Sequence, residues 1–133
     1  IGRGALGLNL PDRDMLVSPQ HRILITGPRA ELLFGEHEVL VAATHLVGLP
    51  GIERVVPEGV SYIHLLFDAH EILCADGAWS ESFQPAVRTL EGLESAQRDE
   101  VLALFPELAT NPASFAAARQ TLKAHEARVL LRL

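Results

Sequence analysis

Six histidines, His21, His37, His45, His64, His70 and His125, are the side chains of this sequence best suited to proton transfer near neutral pH, because a neutral imidazole can give or take a proton there. Two local settings stand out. In Ser18-Pro19-Gln20-His21, a hydroxyl precedes a histidine by three positions, just ahead of the apolar run Arg22-Ile23-Leu24-Ile25. That spacing can place both groups on one turn. In Tyr62-Ile63-His64-Leu65-Leu66-Phe67-Asp68-Ala69-His70, a regular strand would put Tyr62, His64, Leu66, Asp68 and His70 on one face. Such a face could transfer protons or bind a metal. Each setting also has a plain structural reading: Ser18 ends a strand beside a half-buried His21, and the 62–70 stretch is a half-exposed strand with a solvated face.

The remaining chemistry-bearing residues offer less. No His-x-x-His or His-Glu-x-x-His spacing occurs and there is one thiol, Cys74, so a Cys/His zinc site is not expected. Cys74 lies in the apolar run Ile72-Leu73-Cys74-Ala75, with no basic neighbour to activate it, and reads as a small buried hydrophobe. His125 reads as part of a solvated helix face, and Phe34, Trp79 and Phe83 as core or loop anchors.

The elements that must position these groups fall into two textures. Residues 1–85 carry short apolar runs separated by turn signals: 15–17, 22–26, 30–34, 39–43, 52–56, 60–67 and 71–75. Gly27-Pro28, Gly35-Glu36, Gly48-Leu49-Pro50-Gly51, Pro57-Glu58-Gly59 and Asp76-Gly77 punctuate them. This pattern predicts short strands in a mainly β core. Residues 86–133 are rich in Ala, Leu, Glu and Arg and predict helices. One is expected over 96–105, capped by Ser95 and stopped by Pro106, and another between Ala113 and Leu131, started by Asn111-Pro112. The fold class expected is mainly β, with short antiparallel strands and C-terminal α-helices. The β-rich core would span 1–85, with a helical extension, 86–133, packed on the same domain.

Composition narrows the functions. The 133 residues are 48% hydrophobic and 21% charged, which is globular composition. A net charge of −6 and a pI near 5.4 argue against nonspecific binding to nucleic acid or to anionic membranes, both of which need a basic face. No apolar run reaches the length of about 18 residues that a membrane-spanning helix needs. One cysteine forms no internal disulfide, so cysteine usage does not identify the cellular compartment. The first residue is Ile1 and no signal-like stretch follows it, which leads us to expect a fragment or a processed product.

Taken together, these motifs resemble the Hint (Hedgehog/intein) domain family. Residues 18–25 resemble the block that carries Thr-x-x-His before an apolar strand, with Ser18 in place of the Thr. Residues 62–77 resemble the later block, with Tyr62, His70, Ile72-Leu73 and Ala75-Asp76-Gly77 at the matching places. Leu32-Leu33-Phe34-Gly35-Glu36, His64 to Glu71, Ser80-Glu81-Ser82-Phe83 and Leu122 to Ala127 are similar to a bacterial branch of the family. The likeness covers most of residues 5–130.

The resemblance implies autocatalysis. A Cys or Ser attacks the carbonyl of its own preceding peptide bond, and water, a sterol or another nucleophile resolves the resulting (thio)ester. His21 would donate a proton to the departing nitrogen, Ser18 would support it, and His70 would assist the second step. His64 lies one position beyond the family's usual aspartate, where Ile63 stands here. The chain departs from the pattern in three respects. The first block, with its nucleophile, has no counterpart, so the chain alone is expected to be inactive. One extra residue separates His70 from Gly77. The His-Asn pair used for splicing is absent, so cleavage fits better than splicing. The substrate implied is the protein's own flanking polypeptide, with no cofactor, and exposed β-edges make a homodimer an expectation. Two other readings stay open: a β-rich interaction domain that keeps the fold without the chemistry, and a metal-dependent hydrolase using His64, Asp68 and His70.

Overall fold

The computed structural model describes residues 1–84, 93–106 and 116–133. At its centre lies a five-stranded sheet of β1 (Arg22–Thr26), β2 (Glu38–Ala42), β3 (Ile72–Ala75), β4 (Ala78–Glu81) and β5 (Gln120–Thr121), in the order β3-β4-β1-β2-β5. The neighbours are antiparallel except for β2 and β5, which run parallel. Among the described residues there are three α-helices, α1 (Pro28–Phe34), α2 (Ser95–Leu104) and α3 (Ala124–Leu131), and a short 3-10 helix at Ala43–His45. The architecture is thus the expected one, short and mostly antiparallel strands with helices towards the C-terminus. None of the described helices is long and apolar enough to cross a membrane.

The alternation in β1 and β2 explains the core. Ile23, Ile25, Val39 and Val41 share one face of the sheet. Ile23, Val39 and Val41 are fully buried there against Ala30 of α1, Leu46, Ile52, Leu122, and Ala127 and Leu130 of α3, while Ile25 packs partly buried on the same cluster. Burial of a side chain of this size is worth about 1.5–3 kcal/mol, so this cluster is what closes the sheet. Arg29 fastens α1 to α3 by donating from Nε to Leu130 O at 2.9 Å and from Nη2 to Val129 O at 2.7 Å. Those carbonyls belong to the last turn of α3 and have no acceptor role inside the helix.

Several expected elements take a different form. Residues 30–34 are the end of a helix and not a strand. Pro28 occupies its first turn, and Gly35 ends it at φ 74°, a left-handed cap that glycine adopts without a Cβ clash. Ala30 is buried and Phe34 half-buried, one helical turn apart, whereas Leu32 is 83% exposed. A strand would have put all three on one face. Residues 52–56 and 60–67 contain no strand. A strand needs a neighbouring ladder for its backbone groups. One backbone bond, Phe83 N–H to Leu65 O at 2.7 Å, ties this stretch to the residues after β4. In the C-terminal region the helix expected between Ala113 and Leu131 is present as α3 at Ala124–Leu131, and among the described residues before it Gln120–Thr121 form β5. The proposed start at Asn111-Pro112 lies outside the described residues.

The helix predicted after Ser95 is present as α2, but Ser95 is its first residue and Glu94 is the N-cap, without a side-chain cap. Phe105, at φ −130° and ψ 74°, leaves the helical region immediately before Pro106, where the proline ring disfavours helix. β4 was not anticipated. It follows from the Asp76-Gly77 turn, whose φ values of 51° and 77° give the reversal that joins paired strands. Ala75 then faces Ala78 across the turn.

Candidate functional site

The turn expected at Ser18–His21 is formed and pinned on both sides. His21 N–H donates to Ser18 O at 3.1 Å, and Ala43 N–H donates to His21 O at 2.8 Å. Thr44 N–H donates to Pro19 O at 2.8 Å. The 3-10 helix after β2 therefore grips the turn before β1, and His21 is held where the sheet begins. Its ring lines an open cleft of about 1230 Å³ together with Ser18, His64, Cys74, Glu81 and Phe83. His64 reaches this cleft from the extended 52–69 stretch and stacks at an angle on Phe83, with ring centroids 4.9 Å apart.

Burial holds the His21 imidazole below its ordinary value of 6.5. The Glu81 carboxylate opposes that fall, and His64 and Arg22 add to it. At neutral pH the ring is therefore neutral. A neutral imidazole can accept a proton from an attacking thiol or hydroxyl and return it to a leaving nitrogen.

His70 is placed differently. Its side chain is wholly buried, and it is not among the residues that line the cleft. Ala118 N–H donates to His70 Nδ1 at 2.8 Å. The proton therefore sits on Nε2, which donates to Glu81 Oε2 at 2.9 Å. Both ring nitrogens are thus committed within the protein. Glu81 in turn accepts the Arg22 backbone N–H on Oε1 at 2.9 Å and lies 3.5 Å from the Arg22 guanidinium through Oε2. Arg22 Nη1 also donates to Gln84 Oε1 at 2.5 Å. Ser82 completes this wall: its Oγ accepts Glu71 N–H and its own N–H donates to Glu71 O, both at 2.8 Å.

Of the residues singled out in the sequence, Ser18, His21 and His64 come together on one cleft. His70 stands behind it and reaches it through Glu81. Glu81 and the Ala118 N–H were not identified from the sequence. Ser80-Glu81-Ser82-Phe83 resembled the family, but the adjoining residues gave no reason to assign Glu81 a partner. Two expectations are corrected. Cys74 is exposed, because β3 is an edge strand and Cys74 lies opposite the half-exposed Trp79. The metal reading on His64, Asp68 and His70 fails as well. The strand that would align them does not form, His70 has no free nitrogen, and no group of three or more His, Cys, Asp or Glu among the described residues is arranged to hold a metal ion.

A five-stranded sheet, a pinned Ser-x-x-His turn where it begins and a histidine-lined cleft beside that turn define this β-rich domain. A family model described as Hint domain matches residues 1–87, and the chain belongs to that family. No curated protein and no solved structure matches it.

Proposed function

We propose that this Hint domain serves self-cleavage of a peptide bond through a (thio)ester, with the nucleophile supplied from outside these 133 residues. The observation that carries this reading is the desolvated His21, held on a pinned turn with Ser18 and opening onto a cleft. A Cys or Ser side chain attacks the carbonyl carbon of its preceding peptide bond and passes its proton to His21. The carbon–nitrogen bond breaks as His21 returns that proton to the nitrogen. Water then adds to the (thio)ester, releasing a carboxylate and restoring the nucleophile. Ser18 supports His21 across the turn, and His64 faces the same space. The substrate is the protein's own flanking polypeptide. Intact-mass spectrometry of the full-length gene product over time, with and without an added thiol, tests the proposal. Thiol-accelerated appearance of two fragments is expected; one unchanged mass from folded protein sinks it.

A second reading, an interaction domain without chemistry, draws on Val56 at 98% exposure and Ile63 at 85%, in an apolar stretch with no covering layer among the described residues. The exposed stretch also motivates the expectation of a homodimer, and a clean monomer by light scattering would remove it.

A further inference from the structure

Burial opposes the imidazolium that His21 must form in any proton relay, so something has to stabilise that charge where the ring sits. The cleft brings several groups to His21: Arg22, its neighbour at the start of β1, His64 from the 52–69 stretch, and Glu81 of β4, which accepts the Arg22 backbone N–H. Cys74 of β3 and the carboxylates of Asp14 and Asp76 line the same cleft. Glu81 is the member of this set that the protein holds rigidly: its side chain is 10% exposed and both oxygens are engaged.

We propose that Glu81 is the positioning residue of this site: its carboxylate, clamped between the His70 ring and the Arg22 backbone, is the fixed counter-charge for the imidazolium formed on His21. The inference rests on the self-cleavage reading and deepens it. The clamp preserves the charge it holds. Because Ala118 N–H donates to Nδ1, the His70 ring donates to Glu81 through Nε2. It orients the carboxylate without cancelling it. The Arg22 guanidinium donates to Gln84 Oε1 at 2.5 Å and pairs more loosely with Glu81 Oε2, at 3.5 Å, so it weakens the carboxylate's charge without cancelling it. A buried carboxylate beside an imidazole stabilises the protonated ring and fixes its orientation without itself carrying the proton. His70 thus serves the site through Glu81.

The test is an NMR titration of the His21 ring in the 133-residue chain, assigned by the resonance lost in His21→Gln. Glu81→Gln keeps an acceptor for the Arg22 N–H and removes the charge, so the His21 midpoint moves down. Arg22→Met removes an opposing charge and leaves Glu81 in place, so the midpoint moves up. Opposite movements are not the signature of a loosened fold. An unchanged midpoint in folded Glu81→Gln overturns the proposal. If that variant does not fold, Arg22→Met decides, and a midpoint that stays or falls overturns it. In the full-length gene product, Glu81→Gln slows self-cleavage by part of the roughly 10²–10⁴-fold that loss of a general acid costs. If the parental full-length product never cleaves while both midpoints move as stated, the self-cleavage reading fails and the placement of Glu81 stands.

Discussion

Two stretches with apolar runs of similar length end up in opposite states. Residues 22–42 form β1, α1 and β2, and bury Ile23, Val39, Leu40 and Val41 completely. Residues 52–67 form no strand and leave Val55, Val56, Val60, Tyr62, Ile63, Leu65 and Phe67 exposed. The first stretch has β4 and β5 on its flanks and a helical layer over one face. The second is tied to the residues after β4 through Leu65 and Phe83. An apolar run makes a strand possible, and a partner ladder makes it real. The cleft inherits this contrast: His21 stands on the buried side of it and His64 on the open side.

The sharpest way to break the contrast is to remove each histidine. In the full-length gene product, His21→Ala should slow self-cleavage by roughly 10²–10⁴-fold, as followed by intact mass. His64→Ala, on the open side, should cost far less. Equal losses would mean that both sides of the cleft carry the chemistry.

Stability should divide in the same way. Ile23→Ala empties a fully buried site and should cost about 2–5 kcal/mol in denaturant unfolding. Val56→Ser, at 98% exposure, should stay within about 0.5 kcal/mol of the parent. A large loss at Val56 would show that the open stretch is packed in solution.

Acid titration sharpens the difference further. The folded His21 titrates below its unfolded value of 6.5, so the unfolded chain binds the proton first as pH falls. Stability from this group is complete above pH 6.5 and is lost as pH drops through the lowered folded value. The thermal midpoint should therefore fall across that window, and His21→Gln should flatten this part of the profile. A profile that His21→Gln leaves unaltered would show that the ring is not buried in solution. The smallest effect is the most local one: backbone amides of 55–63 should exchange hydrogen much faster than those of β1 and β2, and equal protection would place a partner on the open stretch.

Much of the fold was legible because its causes lie within a few residues. Ser18-Pro19-Gln20-His21 turns where its spacing says it can, and Asp76-Gly77 reverses the chain because both residues tolerate positive φ. The apolar run of β1 was visible for the same reason. The helix at Pro28–Phe34 was misread because a short apolar run fits either period, and only the exposure of Leu32 separates them. In the site, the types and positions of His21 and Ser18 were legible, whereas the state of His70 was not.

What the sequence determined by itself, then, is local: turns, the apolar runs of β1 and β2, six histidines, and an acidic balance unsuited to phosphate. The tertiary structure decided which runs found partners and which protons sit where. Glu81 meets Arg22 across 59 residues and His70 meets the Ala118 N–H across 48. β5 pairs with β2 across some eighty positions of chain. Hydrogen bonds are directional and short, so they carry no trace in spacing when their partners lie that far apart. The place of the proton on His70 follows from those distant contacts, and the neutral ring of His21 follows from its burial.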